Sequence, residues 1–470
     1  MNSAGTGCRG VLISAPQGRS GKTIASLALC ASFKKKGWVV QPFKKGPDYI
    51  DPSWLSEAAG RNCRNLDTFL MPEETVTGSF YRSCQGADLA VVEGAMGLYD
   101  APDSTGWGST AHLARLLSLP VILVVDCTRM TGSVAAMVSG YQHFQPEITI
   151  GGVIFNNVAG NRHHQKLASA VGEHCKIPVV GSIPRSKNLS MTQRHLGHIP
   201  FVEKDGAGYI IDRIVNNIEP HLDLDAIMSV ADTFEPDEAV SHGIASGGQS
   251  KDVARIGVFR DKAFNFYYPE NLEALSQAGG KLVYIDSVND RLPEIDGLYI
   301  GGGFPEFFLE ELEGNKLLRN DIAMAVEGGL PVYAECAGLM YLSRSITWKG
   351  RSHQMAGALS IDVELLERPQ GHGYVEAEIS EDNDFYPLGT MIKGHEFHHS
   401  KISGKEKLNF ACKIKRGHGM GNGSDAIIYK NVFATYTHIH ALGNPCWADA
   451  FVSLAVRQCG SQRMFSLSSS

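Results

Sequence analysis

Short, largely apolar runs recur along this chain, separated by glycine, proline and charged residues, and that pattern restricts the fold more than any other feature. In the first half the runs are 10–14, 39–43, 87–93, 120–126, 148–157 and 178–184; in the second they include 254–260, 281–285, 297–300 and 330–335. Strands that are apolar at consecutive rather than alternate positions are buried on both faces, as in a parallel sheet covered by helices. The expected fold class is α/β. A chain of 470 residues exceeds one ordinary core, so two or three domains are expected.

The first run leads into Ala15-Pro-Gln-Gly18-Arg-Ser-Gly21-Lys22-Thr23, and 24–33 is a helix-forming stretch. Strand, Gly-Lys-Thr loop and helix together make the context of a phosphate-binding loop. Backbone N–H groups around Gly18 and Gly21 cradle phosphate, Lys22 reaches the outer phosphates, and the Thr23 hydroxyl can hold Mg²⁺. Pro16 stands where the strict pattern has its first glycine, and Gln17 where partition-type ATPases carry an extra lysine, which argues against that partner-switched class. The second run enters what reads as a charged loop, with Lys44, Lys45, Asp48, Tyr49 and Asp51 at the carboxyl end of a strand, where open α/β sheets bind ligands. Glu93 ends its strand beside glycines, as a Mg²⁺-binding carboxylate does. Asn156 and Asn157 close theirs and could read a nucleobase edge or form a turn. His163 and His164 are read as exposed loop or helix residues.

Patterning fades from about His221 to Val253, and 242–251 has flexible-linker composition. Beyond it, Leu330-Pro-Val-Tyr-Ala-Glu-Cys336-Ala-Gly-Leu-Met-Tyr341 reads as a strand, a sharp turn and a helix start. The small residues Ala334, Ala337 and Gly338 allow the tight elbow that presents a nucleophile. A thiol at a helix N-terminus is favoured as thiolate by the macrodipole. The alternative, a cysteine that merely fills a core, is outweighed by its partners. Gly302 and Gly303 follow a strand and offer exposed N–H groups for an oxyanion. His438 and His440 close an apolar run, distant enough in sequence to fold back as the base. His395-Glu-Phe-His398-His399 satisfies HExxH literally, but Gly394 and a strand-like approach deny it the helix that zinc ligation at that spacing needs.

Composition sets outer limits. The chain is 43% hydrophobic and 20% charged, with net charge −7 and no large basic run, so neither nucleic-acid nor anionic-membrane binding is indicated. The ten cysteines include no CxxC pair, which fits a reducing cytoplasm better than a disulfide scaffold or zinc ribbon. The first ten residues hold no long apolar segment, so no signal peptide is expected, and no run is long enough to span a bilayer.

The motifs QPFKKGPDYIDP, GRNCRNLD, VVEGAMGLYD and RHLGHIP resemble the cobyrinate a,c-diamide synthase family over nearly the whole chain. That resemblance implies an ATP-binding amidoligase domain akin to dethiobiotin synthetase over 8–225 and a class I glutamine amidotransferase domain over 254–460; composition places a linker over 226–253 and a disordered Ser-rich tail over 461–470. It also implies Cys336 and His438 as the glutaminase pair, with Gly302, Gly303 and Ala337 at the oxyanion. Gly18, Gly21, Lys22 and Thr23 would bind ATP; Thr23, Asp48, Asp51, Glu93 and Asp100 would serve Mg²⁺ or carboxylate activation; Lys44, Lys45 and Tyr49 would lie in the substrate region. HEFH recurs in the family without a metal role, and an acidic residue after the histidine is absent. Where the family has glycine after LYD this chain has Ala101, and Lys45 replaces an apolar residue. Similar enzymes amidate sirohaem or nickel-sirohydrochlorin, and Lys45 with Trp54 fits such a branch. The implied reaction consumes glutamine and ATP to amidate acetate carboxylates of a cyclic tetrapyrrole through an acyl phosphate, in a cytoplasmic enzyme, as a homodimer. A non-enzymatic ATPase switch with an inactive amidotransferase-like domain is the rival class.

Overall fold

The structure is a computed structural model that describes residues 7–186, 193–194, 197–198, 207–234, 253–404 and 408–468, the side chains of 193–194, 197–198, 207 and 460–468 excepted. It divides into two compact units, Met1–Thr68 with Pro72–Ala245, and Ser246–Ser470 with Phe69–Met71.

In the first unit β1 (Cys8–Ser14), β2 (Val40–Lys45), β3 (Arg64–Leu66), β4 (Leu89–Glu93), β5 (Val121–Asp126), β6 (Ile150–Val158) and β7 (Val179–Pro184) form a sheet in the order β3-β2-β4-β1-β5-β6-β7. Every neighbour in that order is parallel. Val11, Leu12 and Ile13 are all buried, as a strand covered on both faces requires. On one face Val11, Ile13, Val91, Ile122 and Val124 pack with Ala25, Leu29 and Phe33 of α1 (Lys22–Lys35). A short pair, β8 (Gln193–Arg194) and β9 (Gly197–His198), follows, and β10 (Asp232–Phe234) adds antiparallel to β1.

Several expectations are corrected here. Lys44 and Lys45 finish β2 instead of entering a loop, and Asp51 lies in the first turn of α2 (Ile50–Ala59). The presumed linker starts later than 226, because the helix Leu224–Val230 and β10 continue the unit; 235–252 lie outside the described residues. Of the tail expected to be disordered over 461–470, residues 461–468 continue the helix Cys446–Ser468, and 469–470 lie outside the described residues. His163 and His164 sit on the helix Asn161–His174 and are half-buried, bonded to the Met130 carbonyl at 2.6 Å and the Ser182 hydroxyl at 2.8 Å. Of the RHLGHIP motif, His195, Leu196, Ile199 and Pro200 lie outside the described residues.

The second unit contains β11 (Ala254–Phe259), β12 (Gly280–Ile285), β13 (Gly297–Ile300), β14 (Val332–Glu335), β15 (Ser345–Trp348), β16 (Arg351–Gln354), β17 (Asp362–Leu365), β18 (Gly371–Ile379), β19 (Met391–His398), β20 (Ser400–Ser403), β21 (Asn409–Arg416), β22 (Ser424–Tyr429), β23 (Val432–Thr435) and β24 (His438–Ile439). Ten of them make a mixed sheet, β12-β11-β13-β14-β23-β22-β21-β18-β19-β24, and β16-β15-β17-β20 make a smaller one. Successive strand residues point to opposite faces. Leu298, Ile300, Val332 and Ala334 therefore enter one core, while Tyr299 and Tyr333 enter the other.

Candidate active sites

The loop between β1 and α1 bends through two left-handed residues, Arg19 (φ 61) and Gly21 (φ 99). Glycine is required at 21 twice over: a Cβ there would lie 2.3 Å from the Asn156 side-chain nitrogen. That same nitrogen donates to the Ser20 carbonyl at 2.9 Å, so Asn156, read from sequence as a candidate for base recognition, braces the loop. The Tyr141 hydroxyl does likewise to the Pro16 carbonyl at 2.8 Å. Gly18 meets nothing within 4 Å of a Cβ position and is open on that side. Lys22, buried at the start of α1, donates to the carbonyls of Gln17 and Met96. Burial first, and then the charge of Lys44, lowers its pKa to about 8.

Beside this loop lies a buried charge cluster whose geometry comes from strand register. Lys44 on β2 is directly opposite Glu93 on β4, and its ammonium lies 2.7 Å from Glu93, 2.6 Å from Asp51 and 3.6 Å from Asp48. Burial alone would lower the pKa of Lys44, but Asp51, Glu93 and Asp48 hold it well above its ordinary value. Burial raises Glu93, with Lys44 opposing, and raises Asp48 to about 7 with help from the Asp51 charge. Asp48 accepts from the N–H groups of Ile50 and Asp51 at 2.8 and 3.2 Å, fixing the start of α2. The Thr23 hydroxyl reaches Glu93 at 2.8 Å and Asp51 at 3.3 Å.

The structure therefore gathers Thr23, Lys44, Asp48, Asp51 and Glu93. Asp100 lies on the exposed segment after β4, accepting from the Gly97 N–H at 2.8 Å, and its charge acts on Lys22 to favour the ammonium. Lys45 is half-buried near the Asp67 charge, its pKa lowered first by burial, and Tyr49 precedes α2.

No group of three or more His, Cys, Asp and Glu side chains among the described residues is placed to hold a metal. The cluster nevertheless fits Mg²⁺, which takes one or two carboxylates and completes its shell with water and phosphate. Thr23, Asp51 and Glu93 supply hard oxygens, and Glu93 Oε2 is buried with no hydrogen-bond partner in the structure.

In the second unit Cys336 follows β14 and caps the helix Ala337–Leu342 with φ 48 and ψ −99. Such a conformation costs a non-glycine residue about 1–3 kcal/mol. It is held by a 2.7 Å bond from the Cys336 N–H to the Thr435 carbonyl, and by tight packing: a Cβ on Gly338 would lie 2.3 Å from the Ile300 carbonyl oxygen. The thiol lies 4.0 Å from the Phe397 carbonyl.

His438 comes to Cys336 from β24 and bonds it through its side chain. Burial alone would lower the pKa of His438; its bonds to Cys336 and Glu335 outweigh that and push it up to about 10. Gly302 lies against the ring, since a Cβ there would be 2.5 Å from His438 Cε1, and Gly303 is pinned over the Ala263 carbonyl. The Gly302 carbonyl accepts from the N–H groups of Asn265 and Phe266, each at 3.1 Å. The first N–H groups of a helix lack intrahelical acceptors, which applies to Ala337.

His440 is buried 3.6 Å from Glu270 and accepts from the Leu442 N–H. His395, Glu396 and His398 lie on β19, a strand and not a helix, so the HExxH spacing places no two ligands on one helical face. His395 is opposite His438 in register and stacks on it at 5.1 Å, and burial, then the charge of His438, holds it well below its ordinary pKa.

One residue passed over in the sequence is Glu335. Its Oε2 lies 3.1 Å from His438 Nδ1, and it is fully buried. The available signal was a carboxylate inside an apolar strand, adjacent to the nucleophile.

Comparison with known proteins bears on both sites. A model described as the CobQ/CobB/MinD/ParA nucleotide binding domain matches 11–198, and one described as the CobB/CobQ-like glutamine amidotransferase domain matches 255–446. A cobyrinate a,c-diamide synthase of Magnetococcus marinus is 44% identical over 457 residues, spanning 96% of this chain and 98% of that protein. The chain belongs to the cobyrinate a,c-diamide synthase family. Further family members are 38% identical in Archaeoglobus fulgidus (95% of this chain, 98% of that one) and 39% in Methanosarcina acetivorans (95% of each). As a member of the cobyrinate a,c-diamide synthase family the chain is a glutamine-dependent amide ligase, with a nucleotide-binding domain around Lys22 and an amidotransferase domain around Cys336. No helix among the described residues is long and apolar enough to cross a membrane.

Proposed function

We propose that this enzyme amidates the a and c acetate carboxylates of cobyrinate, using ATP for activation and glutamine for nitrogen. The observation that carries this reading is that one chain of the family retains both assembled sites, Lys22–Thr23–Glu93 with Lys44 and Asp51, and Cys336 with His438. Cys336 Sγ attacks the side-chain amide carbon of glutamine, and the Gly302, Gly303 and Ala337 region receives the oxyanion. His438 passes a proton to the departing ammonia, leaving a glutamyl thioester that water hydrolyses. In the other domain a substrate carboxylate takes the γ-phosphoryl group of ATP, because a carboxylate itself is a poor electrophile. Ammonia then displaces phosphate to give the amide.

Lys22 faces the phosphates. Thr23, Asp51 and Glu93 would hold Mg²⁺, which offsets phosphate charge when bound. Asp48 and Asp100 act around the activated carboxylate, and Lys44, Lys45 and Tyr49 toward the substrate. We assign the nucleotide domain to 8–225 with its extension to Phe234, and the amidotransferase domain to 254–460. A cytoplasmic homodimer completes the proposal.

The Cys336→Ser protein tests the division of labour. It should lose amidation from glutamine and keep amidation from free ammonia; loss of both would contradict separate half-reactions.

A further inference from the structure

Glutaminase chemistry of this kind needs the histidine held in one tautomer, with one ring nitrogen facing the thiol and the other anchored. The position two residues after His438, where an acidic anchor could stand, is His440, and its ring turns to Tyr268 and Glu270. A carboxylate reaches His438 from a different strand. Glu335 ends β14, on the sheet face of Tyr333, and accepts from His438 Nδ1 at 3.1 Å. The Ile439 N–H approaches its other oxygen at 3.5 Å.

We propose that Glu335 is the positioning residue of the glutaminase site, giving a Cys336–His438–Glu335 arrangement in which the acid is the residue immediately preceding the nucleophile. This rests on the glutaminase reading above. Two features favour it over a merely structural carboxylate. Glu335 is surrounded by His438 and Ile439 on β24, Tyr299 on β13, Tyr333 on its own strand, and the neutral phenols of Tyr267 and Tyr386, so His438 is the cationic partner that the structure provides. The strained turn at Cys336 also fixes the thiol relative to Glu335 through one peptide bond. Nucleophile and anchor thus share a backbone segment, and His438 is clamped between them with Gly302 against its ring.

The test is Glu335→Gln in the full-length enzyme, which keeps the shape and removes the charge. Glutamine-dependent kcat should fall about 10²–10⁴-fold, with KM for glutamine nearly unchanged and amidation from ammonia retained. Glu335→Asp should recover part of the loss. Undiminished glutamine hydrolysis, or equal loss of the ammonia-driven reaction, would overturn the proposal. Nitrogen-15 NMR of His438 in the wild-type enzyme gives a readout independent of any variant: a proton on Nδ1 bonded to carboxylate supports the assignment, and a neutral ring protonated only on Nε2 overturns it. A wild-type enzyme that hydrolyses glutamine but amidates no tetrapyrrole would remove the substrate reading and leave the Glu335 comparison intact.

Discussion

The Thr23 hydroxyl donates to the Glu93 carboxylate across 2.8 Å, tying the first turn of α1 to the end of β4. Both residues lie where the phosphate loop meets the charge cluster, so the bond sets the oxygen geometry offered to a cation and its phosphates. Glu93→Gln should therefore lower amidation by about 10²-fold or more, equally with glutamine or ammonia as nitrogen source. Glutamine hydrolysis in the same protein should persist. An amidation rate near wild type would remove Glu93 from the activating site.

Metal removal should separate the two chemistries in the same way. Among the described residues the hard-oxygen cluster sits with Lys22 and Thr23, whereas Cys336, His438 and Glu335 need no cation for thioester chemistry. Chelation is expected to stop ATP-dependent amidation and spare basal release of glutamate from glutamine, with Mg²⁺ restoring the former. A glutaminase that dies with chelation would contradict this separation.

Lys22 gives nucleotide binding a pH dependence of defined sign. Its pKa in the unliganded protein is lowered to about 8 by burial and by Lys44. Phosphate favours the ammonium form, so affinity is full below that value and declines as pH rises through it, by at most about tenfold per unit. Calorimetric titration with ATP between about pH 7 and about pH 9 should show the decline, and Lys22→Ala should bind weakly throughout. A flat wild-type profile would contradict the role of Lys22.

Gly302→Ala would push a methyl group to within 2.5 Å of His438 Cε1. Displacing the imidazole by about 1 Å is expected to cost about 10²-fold in glutaminase turnover, while ammonia-driven amidation survives. Steady-state rates with each nitrogen source decide it, and an unimpaired glutaminase would show that the ring does not need its present place.

Much of this was legible in the chain, and the parts that were not share a cause. Consecutive burial of Val11, Leu12 and Ile13 follows from a parallel sheet, and the small residues around Cys336 follow from its elbow. Lys44 read as a loop residue because a lysine is ordinarily solvated. Here it ends β2, opposite Glu93, and its neighbours compensate its burial. Asn156 read as a base contact because it ends a strand, but its amide is taken by Ser20. Glu335 lay unassigned inside a motif noted for its cysteine, since nothing local predicts that β24 will bring His438 to it. Local spacing gave the elements; pairing between distant strands gave the partners. The strand-like approach around Met391 and Lys393 is the strand β19, which sets His395 against His438.

Double amidation of cobyrinate can be measured directly. Purified enzyme would be incubated with ATP, Mg²⁺ and glutamine, and with cobyrinate, sirohydrochlorin, its nickel form or sirohaem, and the products read by mass spectrometry. Two acid-to-amide conversions on cobyrinate are expected, abolished in Lys22→Ala and restored by ammonia in Cys336→Ser. Amidation of another ring with cobyrinate untouched, or none at all while glutamine is consumed, would contradict it.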